Sequence, residues 1–460
     1  KMVLSLVSLC AREVVSDHGS SPCWLSCLPC ELYRPLLEAA FDHCRPLAVG
    51  ELVQRWPERT LSVGGWRKPG QAPPNRLCIQ ALLLAVVRGL TDKEEDPVRG
   101  VRRRMELQRR TEPQQNISST TSPDWNQSVV VRVRADLFLN ARSWERVRGA
   151  LSLPGPLRLY CRYLRVEELP APSVASLLEL LPKDGLLGLD IRYSSLGVPG
   201  LALLLPLLEP FPQLHSLRLH YCNLDLQRTQ PEQQGALQEM FRGLCALKRL
   251  RRLSLTALRL PGHLRLLLSL SRPLEVLELP YLSLTPADLA YLSCSPHASS
   301  LRELDLSENR LDLSSVPSLR RLLSQAEPCL AQLSLCGCGL SDSLLGALLP
   351  SLSRCRTLRT LRLALNPLTR TGLVSLAWTA VGIPSLRLLL YPSPLEEYEP
   401  GLPPLPSSSQ LLDWPLMEES EVRVMTLTQV EEVLMAKGRQ HDLLMTSDLL
   451  KYSTDLTVED

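Results

Sequence analysis

From residue 186 to residue 390 the chain places leucine at the same few positions again and again, with polar residues held between them. The clearest copy is 301–311, LRELDLSENRL, with leucines at 301, 304, 306 and 311 and Asn309 between the last two. That is LxxLxLxxNxL, the leucine-rich-repeat pattern, residue for residue. Alternation at Leu304 and Leu306 predicts a short strand with both side chains on one face. Asn309 predicts a turn whose amides its side chain satisfies, so the backbone bends away without leaving buried donors unpaired. The first leucine recurs at Leu186, Leu214, Leu250, Leu274, Leu301, Leu330 and Leu358, at steps of 28, 36, 24, 27, 29 and 28 residues. An irregular unit at Leu157, Leu159 and Leu164 precedes these, and a terminal one lies near 386–390.

Repeats of this length leave room for a full helix after each strand, and 341–357 and 369–379 are patterned as helices. The fold class expected is therefore α/β, a leucine-rich-repeat solenoid of the ribonuclease-inhibitor horseshoe type. A single repeat cannot bury its apolar face alone, so the ends need caps. Residues 1–90 read as a helical N-terminal cap, with helices at 4–15, 28–41, 47–56 and 77–90. The last is nearly all apolar and is expected to be buried. Residues 91–127, rich in charge, Gln, Ser, Thr and Pro, cannot offset the entropy of ordering and are expected to be a disordered insertion. Its arginines at 102–104 and 109–110 fit a solvated loop of mixed charge better than an import signal.

Residues 129–139 alternate as a strand that would pair onto the first repeat, and the horseshoe spans 128–392. A polar loop at 226–234 accounts for the step of 36 residues. Residues 393–460 form a Pro- and Ser-rich exit and a helical C-terminal cap. Its helix, 418–437, turns Val422, Met425, Val430, Val433 and Leu434 inward and ends at Gly438.

Composition adds limits. Hydrophobic residues make up 45% of the 460, but only four are Phe, which suits repetitive stacking better than an aromatic globule. A net charge of +3 at this length argues against nucleic acid as the partner. No apolar run reaches the ~20 residues of a membrane span. The fourteen cysteines are scattered, and Cys161, Cys222, Cys336 and Cys338 sit at repeat positions where they act as small hydrophobes. The opening MVLSLVSLCA lacks a small-x-small cleavage site, so cytoplasm, or nucleus, is the expected compartment. The alternative, a secreted repeat ectodomain, would make Asn116 and Asn126 glycan acceptors.

No catalytic constellation is legible, and the expectation is a non-enzyme without cofactor. His18, Cys23, Cys27 and Cys30 are close in sequence but lack paired-knuckle spacing, so no metal is expected. The LxxLL segments at 177–181 and 345–349 fall on repeat helices and read as core. What remains is a surface. The concave face should carry Asp190, Arg192 and Tyr193, then Arg218, His220 and Tyr221, then Ser254 and Thr256. Glu278 and Tyr281 follow, with Asp305, Ser307, Glu308 and Arg362 beyond. Tyr and Arg are common interface anchors, which favours the first half, although ordinary exposed strand residues would look the same.

The N-terminal helix adds a second pattern. Leu6, Cys10 and Val14 match SLxxxCxxxΦ and form one helical stripe at i, i+4 and i+8. This resembles the box by which substrate receptors bind elongin C. Downstream, Leu28, Pro29 and Leu32, in LPCEL, resemble the short box that selects cullin-2. The whole chain resembles the PRAME family, through LPCELYRPLLEAAF at 28–41, GPLRLYCRYLRVEELP at 155–170 and LHSLRLHY at 214–221. SPHASSLRELDLSENRL at 295–311, LLYPSPLEEYE at 389–399 and GRQHDLLMTSDLL at 438–450 complete it, with Cys30 where the family usually has Arg. The resemblance implies an adaptor, the substrate-recognition subunit of a cullin-2 RING ubiquitin ligase joined through elongin B/C. It also implies a second reading, because one close relative damps NF-kappa-B signalling by binding the beta subunit of the I-kappa-B kinase.

Overall fold

The structure is a computed structural model that describes residues 6–16, 28–57, 61, 75–95, 131–152, 157–226, 233–417 and 421–449. The chain forms two compact units, divided after residue 132. The proposed insertion lies outside the described residues except at 91–95, as do Asn116 and Asn126.

The first unit is helical: α1 (Leu6–Ser16), α2 (Tyr33–Asp42), α3 (Pro46–Gln54) and α4 (Arg76–Glu95). Its core joins Ala11 and Val15 of α1 to Leu36, Leu37 and Ala40 of α2, Val49 and Leu52 of α3, and Cys78 and Ala85 of α4. Pro35 lies in the first turn of α2, where a missing N–H leaves no helix bond unmade, so it does not bend the helix. Two expectations need correction. Helix α4 continues to Glu95, and among its described side chains one face only is buried: Leu77, Ile79, Leu83 and Leu84 are exposed while Cys78 and Ala85 are buried. An all-apolar helix signals burial only if the fold supplies partners around it, and this three-helix neighbourhood covers one stripe.

The second unit is one sheet of eleven strands in sequential order. They are β1 (Val131–Leu139), β2 (Leu157–Glu167), β3 (Gly188–Arg192), β4 (Ser216–His220), β5 (Arg252–Thr256) and β6 (Val276–Glu278). Then come β7 (Glu303–Asp305), β8 (Gln332–Ser334), β9 (Thr360–Arg362), β10 (Leu388–Leu390) and β11 (Leu444–Thr446). From β2 onward neighbours are parallel. One leucine per repeat stands in register across eight strands, Leu189, Leu217, Leu253, Leu277, Leu304, Leu333, Leu361 and Leu389, each at most 2% exposed. Such leucines contribute about 1.5–3 kcal/mol each by burial.

Helices return the chain between strands: α5 (Trp144–Ser152), α6 (Ala171–Leu180), α7 (Gly197–Leu204), α8 (Gln234–Cys245), α9 (Leu264–Leu267), α10 (Pro286–Cys294), α11 (Val316–Ala326), α12 (Asp342–Leu352) and α13 (Arg370–Val381). The 24-residue step from Leu250 to Leu274 holds only the single turn of α9, so not every repeat carries a full helix. Of the two LxxLL segments, Leu177, Leu181, Leu345 and Leu348 are buried in the repeat core and Leu349 packs against it half-buried. Leu180, expected in the core, is 37% exposed because it lies on the outward side of its helix.

Asn309 does more than close its own turn. Its amide donates to the carbonyls of Leu306 (2.9 Å) and of Leu279 in the preceding repeat (2.7 Å). Its oxygen accepts the N–H groups of Leu282 and Leu284 of that repeat. Asn366 repeats this toward Leu335 and Leu340. At the same register Cys222 and Cys338 donate weakly to the carbonyls of Ile191 and Leu306. Burial pushes the Cys222 thiol up to about 12, so it stays protonated and able to donate. His297, fully buried, is a second staple, accepting from Leu274 N–H at Nδ1 and donating from Nε2 to the carbonyl of Leu268.

After β10 the chain forms α14 (Ser408–Asp413) and α15 (Glu421–Ala436), and then β11 adds to the sheet. Val430 and Val433 are buried and Leu434 packs against the core, while Gly438 ends the helix at φ 63°. Met425, expected inward, is exposed, and the side chain of Val422 lies outside the described residues. Arg439 locks this cap, with its guanidinium donating to the carbonyls of Val381, Ile383 and Leu386 and to Asp442.

Asn309→Ala should lower the unfolding free energy of the repeat unit by about 3 kcal/mol, because it strands buried donors and acceptors of two repeats. Urea denaturation followed by far-UV circular dichroism checks this. A midpoint equal to wild type would refute the stapling role.

Candidate interaction surface

In each repeat from Tyr193 to Leu365 the residue seven places past the first leucine has left-handed backbone: Tyr193, Tyr221, Ala257, Tyr281, Glu308, Gly337 and Leu365 have φ between 51° and 62°. For residues other than glycine this costs about 1 kcal/mol or more each and persists only where the surroundings fix it. Here the next repeat fixes it. Tyr193 N–H donates to the carbonyl of His220, Tyr221 to Thr256, Ala257 to Pro280, Tyr281 to Ser307, Glu308 to Cys336 and Gly337 to Ala364, all within 3.1 Å. The side chains of this column emerge where the strands end. Three are tyrosines, exposed by 54% (Tyr193), 46% (Tyr221) and 50% (Tyr281). Tyr193 and Tyr221 stack with centroids 5.2 Å apart.

Gly337 is the one glycine of the column. A Cβ there would run into the Glu308 carboxylate of the preceding repeat.

On the strands themselves Ser254, Thr256 and Ser307, expected on the surface, are buried. The short hydroxyl side chains lie beneath longer neighbours, Ser254 bonded to His220 and Ser307 to Ser334. The charged residues are half-buried and engaged with one another. Arg192 pairs with Asp190 at 2.9 Å, and Arg252 reaches Glu278 and Glu303. Arg218 lies among these charges, and burial lowers its pKa. His220 Nε2 is 2.9 Å from Ser254 Oγ. Asp305 accepts the Ser307 N–H, and burial raises its carboxyl above the usual range. Glu308 accepts hydrogen bonds from the hydroxyls of Tyr281 and Ser408. The second half of the surface is thus partly taken up by the chain's own C-terminal segment, whereas the three tyrosine side chains remain about half exposed.

The N-terminal residues lie in the other unit. On α1, Leu6 is 77% exposed, Val14 40% exposed and Cys10 exposed, while Ala11 and Val15 on the opposite side are buried. Pro29 is exposed, and Leu28 and Leu32 pack partly against the helical core. Cys23 and Cys27 lie outside the described residues. Among the described residues no His, Cys, Asp or Glu side chains converge as a metal site, and no helix is long and apolar enough to cross a membrane.

The PRAME C-terminal domain family matches residues 154–402, which is the sheet from β2 to β10. Leucine-rich repeat-containing protein 14 of Xenopus laevis is 35% identical, and that of Homo sapiens 34%, each over 97% of both chains. The chain belongs to the PRAME family. A human PRAME family member 20 is 28% identical over 86% of this chain and 87% of its own. Among solved structures, a leucine-rich repeat-containing protein of Legionella pneumophila matches 66% of this chain and 98% of its own at 16% identity and a TM-score of 0.35. The fold assignment rests on the sheet itself. A leucine-rich-repeat architecture in the PRAME family is consistent with a protein-interaction role.

Sequence reasoning missed the left-handed column, the helix α5 and strand β11. The column was within reach, because Tyr193, Tyr221 and Tyr281 share one offset from the first leucine.

Burial pushes the His220 imidazole down from 6.5 to about 4, and His215 and His297 shift in the same direction. The folded chain therefore binds fewer protons than the unfolded chain below pH 6.5, so this stability is present above pH 6.5 and is lost as pH falls toward 4. Thermal melts at pH 7 and pH 5 should show a drop in midpoint that is smaller in His220→Gln than in wild type.

Proposed function

We propose that this chain is a non-catalytic adaptor of the cytoplasm, recruited to a cullin-2 RING ubiquitin ligase through elongin B/C. In this reading Leu6, Cys10 and Val14 enter a groove on elongin C, Leu28, Pro29 and Leu32 face cullin-2, and the tyrosine edge of the sheet meets the protein to be modified. The observation that carries the reading is the division of α1. A helix serving only as a cap would bury its largest apolar side chains, yet Ala11 and Val15 face the core and Leu6, Val7, Leu9 and Val14 face outward. An apolar helical stripe left in water favours a partner helix or groove. Cys10 on that stripe is small enough for close approach of the two backbones.

The second reading, stoichiometric inhibition of the I-kappa-B kinase beta subunit, uses the sheet surface alone and has no need of this stripe. The two readings therefore separate on one variant.

Leu6→Arg with Cys10→Arg should abolish co-purification of elongin B/C, by tenfold or more (about 1.4 kcal/mol or greater), while leaving the melting midpoint near wild type. The exposure of both sites makes the stability cost about 0.5 kcal/mol or less. Absence of elongin from the wild-type chain would sink the ligase reading. Repression of NF-kappa-B signalling that survives the double variant would favour direct kinase inhibition.

A further inference from the structure

The Pro- and Ser-rich exit from the repeats is a closed lobe on a hydrogen-bonded stalk. Tyr398 bridges Leu416 antiparallel, Glu399 N–H donates to the carbonyl of Pro415 (3.0 Å) and Met417 N–H donates to that of Glu397 (2.9 Å). Trp414 Nε1–H donates across the stalk to the carbonyl of Glu399 at 3.0 Å. Glu397 is buried and accepts a hydrogen bond from the Thr426 hydroxyl on α15, so the stalk is fixed to the C-terminal cap. Within the lobe, Ser407 and Gln410 form a capping box for α14, and Pro406 and Leu411 are buried. Among the described residues, one hydrogen bond joins residues 400–414 to the repeats: Ser408 Oγ donates to the Glu308 carboxylate.

Glu308 is the acidic member of the left-handed column, and its other hydrogen bond comes from Tyr281, the last of the exposed tyrosines. The lobe is thus seated at the downstream end of the tyrosine edge, held by a hydroxyl against a carboxylate. The next acidic group acting on Glu308 is Asp305, of the same sign.

We propose that Ser408 is a phosphorylation site whose occupancy releases this lobe and uncovers Glu308 at the downstream end of the tyrosine edge. A protein kinase would move the γ-phosphoryl group of ATP to Ser408 Oγ, forming the O–P bond, breaking the bond to ADP and passing the hydroxyl proton to the kinase's base. The product carries a charge of about −1.5 to −2 where a donor had been, directly against a carboxylate. A donor hydroxyl becomes an acceptor, so the latch is lost and repulsion replaces it. The six-residue α14 is too short to compensate through its dipole. Serines 407 and 409 bond to each other rather than to the repeats, so phosphate there leaves the latch intact. The surroundings suit a kinase: Leu405 is 70% exposed, and Ser407 and Ser409 are exposed. None of this depends on which machinery α1 recruits.

The test is hydrogen–deuterium exchange of the full chain, read at the amides of residues 405–414. Ser408→Asp should speed exchange there about tenfold through like-charge repulsion, and Ser408→Ala by less. Adding Glu308→Gln to Ser408→Asp should restore slow exchange, because the amide can donate to the new carboxylate. Unchanged exchange in Ser408→Asp, or no rescue by Glu308→Gln, would overturn the latch. Mass spectrometry of the chain from phosphatase-inhibited cells should place phosphate on Ser408. Phosphate confined to Ser407 or Ser409, or none on this peptide, would overturn the modification.

Discussion

Everything in the repeat unit depends on one constraint: a strand of three to five residues with leucines on one face cannot bury them without a neighbour of the same kind. Register supplies that neighbour. With Leu189 opposite Leu217 and so on to Leu389, each leucine is roofed by the leucines of adjacent repeats, and the parallel ladder pairs the strand backbones. The turns need their own solution, because they bend away inside the protein. Asn309 and Asn366 supply it by bonding backward to the previous repeat as well as to themselves. Cys222 and Cys338 show that a smaller, weaker donor suffices at the same place.

The same neighbour-to-neighbour logic builds the surface. A tyrosine with positive φ is strained in isolation, but the carbonyl of the following repeat accepts its N–H and makes that conformation the only one that pairs. The cost of the left-handed column is thereby spread along the array, and its side chains are presented in order along the ends of the strands. The strand residues inside that border are held in ion pairs such as Asp190–Arg192, or kept neutral by burial, as His220 is. The border, where the tyrosines are half exposed, is the better place for recognition.

The two units divide the work in the proposed adaptor. The helical unit offers a stripe on α1 that its own core does not need, and the repeat unit offers an edge whose far end is already occupied by the lobe at 400–414. A surface partly covered by a tethered segment can be regulated without altering the repeats, because only the tether's contact must change.

Much of this was legible in the chain itself. The period fixed the strands, their parallel order and the inward leucines, since any other arrangement would leave those leucines in water. Asn309 announced its turn, Gly438 the end of α15, and the stripe at Leu6, Cys10 and Val14 its shared face. Local pattern could not say how much of an apolar helix its neighbours would cover, and so α4 was expected to be buried and has one open side. It could not say that Met425 faces outward, that β11 closes the sheet, or that Ser408 returns to Glu308 from one hundred residues away. Those are contacts between distant segments. Spacing along the chain determines which face a residue takes, but only tertiary packing decides what, if anything, stands opposite it.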